Sequence, residues 1–512
     1  MNVPANKKAS ARPTEATSLR TDMMTLLWGT PVLLACGYVA LTPYAGALSS
    51  LRPYDAKRLL QIGLLLAGAA CVTGVPRLRA GWLATFRALP RAARWGLGAV
   101  FALGVASALT APVPRMALLD VAHYALLFNL GFAVASLCRA FPRRFVQVLL
   151  VALGVSVGLY AILFARGYVV HWSGGNAGLW PEGDIGFANK RFFNQFQSWS
   201  LPLLVVLGLM PSVRRRRGGR VLASGLLACW WMLALVSGGR GILLGMIVAG
   251  VGVGVLFRWK AWPWLREHLA AGAVGALLYG LLFQLIVPAT GSIAERAPHK
   301  GFSSGGRLSD WQGIAEAIAG HPWLGLGPMH TAYAPNELWP TTHNAVLQFV
   351  VEWGLPAALL LVGLALWGLF AYGEQARRQL LGEGDASDAE GEAHPLLPAT
   401  RVALFASMLA AGTHAMVSGV VVMPASQVAM TLVLGCALGM HLPQHSPSAR
   451  PVVPARQETW ALVAFLLAGA ALLVWAVSPD VLSLNTRFAE GVFEHGTLRL
   501  PPRYWSYGPF GP

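Results

Sequence analysis

Apolar runs about one membrane thick alternate with short polar stretches along almost the whole chain. Thirteen candidate spans follow from that pattern: 24–44, 59–75, 95–111, 116–138, 145–165, 192–211, 221–239, 241–257, 269–290, 346–372, 402–419, 424–442 and 459–478. Most match the roughly 20 apolar residues that a membrane helix needs. Between Val402 and Met440 there is no Asp, Glu, Lys or Arg. One helix of that length would reach nearly 60 Å at about 1.5 Å per residue, so a hairpin is expected, with Ser418, Gly419 and Pro424 in its turn. Ala45-Gly46-Ala47 after the first run looks like a signal-peptide cleavage site. The run is too long for such a peptide and further spans follow, so it reads as an uncleaved first helix.

Two connections are long, 166–191 and 291–343. In the second, the polar, Gly/Ser-rich start gives way to Leu308, Trp311, Ile314 and Ile318 at helical spacing. That predicts an amphipathic helix over 308–319, lying on a membrane surface. Gly320 ends it and Pro322 blocks its return. Gly325 and Gly327 mark a turn. Thr341 or Thr342 is expected to cap a new helix that starts at His343 and runs into the tenth span. The acidic, low-complexity stretch 374–399 reads as a flexible loop. The expected organisation is a polar N-terminal tail (1–23), helices one to nine (24–290, with loop 166–191), a large loop with its amphipathic helix (291–345), helices ten to thirteen (346–478) and a C-terminal tail (479–512).

Composition agrees. Hydrophobic residues make up 55% of the 512 and charged ones 12%, too few to cover a soluble protein, which carries roughly 25%. The net charge of +17 would suggest nucleic acid in a soluble chain. Here the basic residues sit in short connections, so topology explains them and no nucleic-acid partner is expected. With the N-terminus in the cytoplasm, 25 of the 39 Lys and Arg fall inside and 14 outside, and Arg214 to Arg217 lie inside. The five cysteines have no metal-site spacing and read as packing residues.

Three positions stand out at the outer boundary. Arg191, next to Lys190, lies where the first long loop meets span six. Arg240 lies in Ser237-Gly238-Gly239-Arg240-Gly241, and His343 lies in Thr342-His343-Asn344. An arginine at a helix end can simply snorkel to the interface. These arginines, however, are on the side where topology does not ask for cations. The glycines around Arg240 also leave backbone N–H groups uncovered at a helix start, a seat for an anion such as a lipid-linked phosphate or diphosphate. A histidine near its ordinary pKa of about 6.5 is mostly a base at neutral pH, suited to taking a proton from an acceptor hydroxyl. Glu182 and Asp184 form an acidic pair that is too small for a closed cation site. Asp120, His123, Glu352 and His414 are polar groups at membrane depth, read as helix–helix contacts. Glu352, nine residues after His343, is half a turn away and should face elsewhere. A proton-coupled transporter would use such residues, but matched pairs of Gly/Pro-broken helices are missing.

Arg307-x-x-x-Trp311, then His321-Pro322-Trp323-Leu324-Gly325-Leu326-Gly327, then His343-Asn344 and Glu352-x-Gly354-Leu355 resemble the O-antigen ligase and polymerase superfamily of bacterial envelope glycosyltransferases. Ser-Gly-Gly-Arg240-Gly resembles its small-residue-Arg-Gly element. The ligase branch has His, then Asn, Ser or Gln, nine residues, and Gly-x-x followed by Gly, Thr or Tyr. His343-Asn344 and Gly354 keep that spacing, with Ala357 at the last position. The resemblance covers roughly residues 24 to 442 and implies an all-α, GT-C-like polytopic protein of about 12–13 transmembrane helices in the bacterial inner membrane. It implies transfer of O-antigen from undecaprenyl diphosphate to the lipid A–core oligosaccharide at a periplasmic active site, with inversion, no metal and no cofactor. It places diphosphate binding on Arg191 and Arg240, joined by Lys190, and the base on His343, with Arg307 and Asn344 in the substrate loop. Membrane lipids surround both substrates. The alternatives are an O-antigen polymerase using the same donor and, from another class, a lipid or small-molecule transporter.

Overall fold

Proline sets where many of the helices begin. It has no N–H to leave unpaired and its φ is already helical, so it suits a first turn. Pro53, Pro76, Pro114, Pro356 and Pro424 stand there. A computed structural model describes residues 29–48, 50–173, 186–286, 307–382, 396–443, 454–495 and 502–511. The helices are α1 (29–41), α2 (Pro53–Gly74), α3 (Pro76–Ala88), α4 (Arg91–Thr110), α5 (Pro114–Ala140), α6 (Pro142–Ser173), α7 (Lys190–Leu209), α8 (Arg217–Val236) and α9 (Arg240–Phe257). They continue with α10 (Trp262–Tyr279), α11 (Arg307–Gly320), α12 (Ala345–Trp353), α13 (Leu355–Leu381), α14 (Leu396–Ala415), α15 (Pro424–His441), α16 (Arg456–Val481) and α17 (Leu484–His495).

Nine stretches of the described residues are long and apolar enough to cross a membrane, and one of them, Arg240–Leu285, contains both α9 and α10. The chain is an all-α polytopic membrane protein. Helices α5, α7, α14 and α15 form its interior, and the polar side chains they bury find partners across helices. Gln197 donates to the Trp230 carbonyl at 2.9 Å, Trp199 to Ser426 at 3.1 Å, and Ser198 lies 2.7 Å from the His414 ring. Such bonds substitute for water that the bilayer does not supply. Helices α9 and α14 meet along a glycine seam. A Cβ at Gly245 would stand 2.5 Å from the Ala410 carbonyl oxygen, and one at Gly241 would strike the His414 ring.

The starts of α2, α5, α7, α9 and α15 gather at one end of the bundle with the ends of α14 and α16. Gln195 donates to Ser418 at 2.8 Å, Ser237 to Asn194 at 2.7 Å and Arg58 to the Val422 carbonyl at 2.7 Å. Arg115 reaches Asp480 at 3.3 Å. This is termed the upper end.

The amphipathic helix expected over 308–319 is α11. After it, the His321–Gly327 motif folds back on the end of α12. Leu326 donates to the Val351 carbonyl at 2.8 Å, Gly327 to that of Glu352 at 3.1 Å, and Leu355 to that of Pro322 at 2.9 Å. Gly325 (φ 67°) and Gly354 (φ 84°) are left-handed, and a Cβ on Gly325 would meet the Glu352 carbonyl carbon at 2.7 Å. The tenth span expected at 346–372 is therefore two helices, α12 and α13, broken at Gly354. The helix expected to start at His343 under a threonine cap starts at Ala345 instead. Asn344 is its cap, accepting from the Val346 and Leu347 N–H groups at 2.9 and 3.1 Å. The expected loop at 374–399 is shorter than its sequence suggests, because α13 continues to Leu381 and α14 begins at Leu396. The rest of that loop, the 1–23 tail and the stretch 291–306 lie outside the described residues.

Candidate functional site

Two helix starts form one corner of the upper end. At the first, Asn189 caps α7 and its side chain accepts from the Arg191 N–H at 2.8 Å. Lys190 is half-buried there and Arg191 is exposed. At the second, Gly239 precedes α9, which has no side-chain cap. Arg240 is exposed at its first position. The glycines do steric work: a Cβ on Gly239 would strike the Asn194 amide, and Gly241 lies against His414. The two starts can thus approach until Ser237 bonds Asn194, one helical turn beyond Arg191. Of the two, α9 is the barer seat for an anion, because its first N–H groups have no capping oxygen.

His343 occupies a left-handed turn, φ 55°. Histidine visits that region more readily than bulkier residues, but at a cost that surrounding bonds must hold. Its neighbours are clamped on both sides. The Thr342 N–H donates to Gln348 Oε1 at 2.9 Å and its hydroxyl to the Asn344 carbonyl at 2.6 Å. The Trp311 indole N–H donates to the Thr342 carbonyl at 2.9 Å. Arg307 opens the α11 helix that carries Trp311.

Beneath it lies a buried charge network. Arg503 donates to Glu352 Oε2 at 2.6 Å and stands 3.7 Å from Asp120. Arg58 bonds Gln61 and Gln427, both at 2.7 Å, and approaches His123 at 3.3 Å. All of these side chains are buried. Burial pushes the Glu352 carboxyl up while Arg503 pulls it back down, leaving it above the usual carboxylate range. Burial alone would lower Arg503, but Glu352 and Asp120 outweigh that and hold it protonated. Burial also lowers the His330 ring, which accepts from the Val113 N–H at 3.1 Å.

Asp120 and His123 were expected to join helices to one another; His123 does, meeting Arg58 of α2 at 3.3 Å and Gln427 of α15 at 3.1 Å as well as Tyr504 at 3.2 Å, whereas Asp120 faces Arg503 of the 502–511 segment. His414 does join helices, α14 to α7. His343 precedes α12, so the helical angle expected between it and Glu352 does not apply, and a chain of hydrogen bonds through Thr331 and Gln348 links Glu352 to the turn. Thr331 Oγ1 donates to Glu352 Oε1 at 2.6 Å, and Gln348 Nε2 donates to Thr331 Oγ1 at 3.0 Å. Arg58, Thr331, Gln348 and Arg503 escaped the sequence reading; the one available signal was charge in otherwise apolar surroundings. Glu182 and Asp184 lie outside the described residues. Among the described residues no three His, Cys, Asp or Glu side chains converge as metal ligands would.

Residues 223–362 match the family described as O-antigen ligase. Over that stretch, roughly a quarter of the sequence, the chain is similar to the O-antigen ligase family. The matched stretch includes Arg240, Arg307, His343, Asn344 and Glu352 and ends before α13 does; Lys190, Arg191 and Arg503 lie outside it. The match supports a membrane glycosyltransferase of ligase or polymerase type. No curated protein matches the chain.

Proposed function

We propose that this protein transfers O-antigen glycan from undecaprenyl diphosphate to a sugar hydroxyl of the lipid A–core oligosaccharide, at the periplasmic face of the inner membrane. The observation that carries the reading is the Ser237–Gly241 element locked on the start of α7, which brings Arg240, Arg191 and Lys190 to the end of the bundle that also holds His343. In this reading His343 takes the proton of the acceptor hydroxyl. The acceptor oxygen attacks the anomeric carbon from the face opposite the diphosphate, the anomeric C–O bond breaks, and its electron pair leaves with undecaprenyl diphosphate. The configuration inverts. Arg191 and Arg240 stabilise the departing anion, so cations matter more than a general acid. Both substrates are lipids whose tails stay in the bilayer while the sugars meet at the upper end.

The test is transfer by purified protein in detergent, from lipid-linked glycan to lipid A–core, without gradient or ATP. Activity is expected to survive excess chelator, because side-chain cations supply the charge. Loss in chelator with recovery on magnesium would bring Glu182 and Asp184 back as ligands. Deletion in cells distinguishes the related reactions. Loss of a ligase leaves bare core with accumulated lipid-linked polymer, whereas loss of a polymerase leaves core capped by one repeat unit. Absence of transfer, with gradient-driven movement of lipid instead, would favour a transporter.

A further inference from the structure

The segment Pro502–Gly511 runs through the interior of the upper end rather than over its surface. Arg503 is 3% exposed, Tyr504 4% and Trp505 1%. Its first half is tied mainly to the start of α2 and to the end of α16. Tyr54 of α2 donates to the Arg503 carbonyl at 2.5 Å and Arg58 to that of Tyr504 at 3.1 Å. The Trp505 indole donates to Asp480 of α16 at 3.2 Å, and the Ser506 N–H donates to Asp55 at 2.7 Å. Further on, Phe510 pairs with the loop before His343. Its N–H donates to the Ala332 carbonyl and its carbonyl accepts from Ala334, both at 2.9 Å, and its ring stands against His330.

The Arg503 side chain starts a continuous path. Arg503 to Glu352 is 2.6 Å, Thr331 to Glu352 2.6 Å, Gln348 to Thr331 3.0 Å and Thr342 to Gln348 2.9 Å. Thr342 is the residue before His343. The charges along this core balance, with Arg58 and Arg503 against Asp120 and Glu352. Removing one buried partner leaves the other uncompensated.

We propose that the segment 502–511 is a working part of the site, with Arg503 a positioning residue that holds His343 in its left-handed turn through Glu352, Thr331 and Gln348. This rests on the reading of His343 as the base. A base misplaced by about 1 Å can lose on the order of 10²-fold in rate, whereas donor binding at the arginine corner does not depend on this path.

The test compares full-length protein in lipid nanodiscs with Arg503→Lys, Arg503→Met, the double variant Arg503→Met with Glu352→Gln, and His343→Ala. The readouts are kcat, KM for the lipid-linked donor, and hydrogen exchange at the Thr342 and Asn344 amides. Arg503→Met is expected to lower kcat by roughly 10- to 100-fold with donor KM within about two-fold, and to speed exchange at both amides. Arg503→Lys is expected to recover part of kcat. Should Arg503→Met not fold, the double variant decides, because it removes the stranded Glu352 charge and keeps an acceptor for Thr331. Its exchange should still be faster than wild type. Folded variants with wild-type kcat and wild-type exchange overturn the proposal, as does a chain cut before Pro502 that transfers faster than the intact one, since the segment would then obstruct. If His343→Ala keeps normal transfer, the base reading fails by itself, and exchange at Thr342 still decides whether the segment holds the turn.

Discussion

The upper end uses the same side chain in two opposite ways. Arg191 and Arg240 are exposed at helix starts, while Arg503 is sealed between Glu352 and Asp120. A guanidinium at the surface can be reached by a ligand without unpacking the interior. A sealed guanidinium has already exchanged its water for carboxylates and is committed to structure. On the proposed reading, the contrast separates a corner that receives a charged lipid from a frame that holds one imidazole still.

The sharpest way to break that separation is His343→Ala. Transfer is expected to fall by about 10²–10⁴-fold with donor affinity nearly intact, measured by single-turnover transfer and by donor binding to the same preparation. An equal loss of donor affinity would merge the two regions into one. Next come the arginines. Arg191→Lys and Arg240→Lys keep the charge but lose the planar pair of donors, and each is expected to cost on the order of 10²–10³-fold in transfer, nearly as much as alanine. If lysine serves at both positions, these are snorkelling interfacial cations and the corner receives nothing.

Gly239→Ala probes how the corner is assembled. The added methyl meets the Asn194 amide, and overpacking of this kind typically costs about 1–3 kcal/mol. Thermal unfolding in detergent should show that loss, with donor binding weakened and exchange at Thr342 unchanged. A shift at Thr342 would mean that corner and frame are mechanically one body.

The smallest effect is one of pH. The folded pKa of His330 lies below its ordinary value because of burial, so the stability that its neutral ring contributes is complete above the ordinary histidine range. It is lost as pH falls, when the unfolded state takes up the proton first. Glu352, pushed upward, contributes with the opposite sign, losing stability as pH rises. Exchange of the 329–336 amides should therefore quicken on acidification in wild type by roughly two-fold more than in His330→Gln. Equal profiles would show that His330 takes no part in the pH response.

Local signals in the sequence carried the membrane-length helices, the helix over 308–319 and the turn at Ser418, because each depends on spacing within a dozen residues. The same signals erred by small amounts where a long-range bond decides. Gly354 looks like one more glycine in an apolar span; Pro356 just after it and the return of Pro322 onto Leu355 turn it into a break. Asn344 takes the cap from Thr341 and Thr342 because His343 is left-handed, which delays the helix start. Arg503 and Glu352 lie 151 positions apart, and no periodicity joins them. The arginine corner and His343 were legible because their motifs are contiguous. The frame that holds His343 was not, because its members come from the 502–511 segment, Thr331 and Gln348.

The glycine seam between α9 and α14 has a mechanical consequence. Two helices in backbone contact cannot slide or part without losing the whole line of close packing at once, so they should move as a plank. Arg240, fixed to one edge of that plank, then cannot travel to meet a polyprenyl chain. On the proposed reading, the chain comes to it. The outward face of α13, with Leu359, Leu366 and Phe370 uncovered, lacks any such seam, and stiffness measured helix by helix should therefore be lopsided across the bundle.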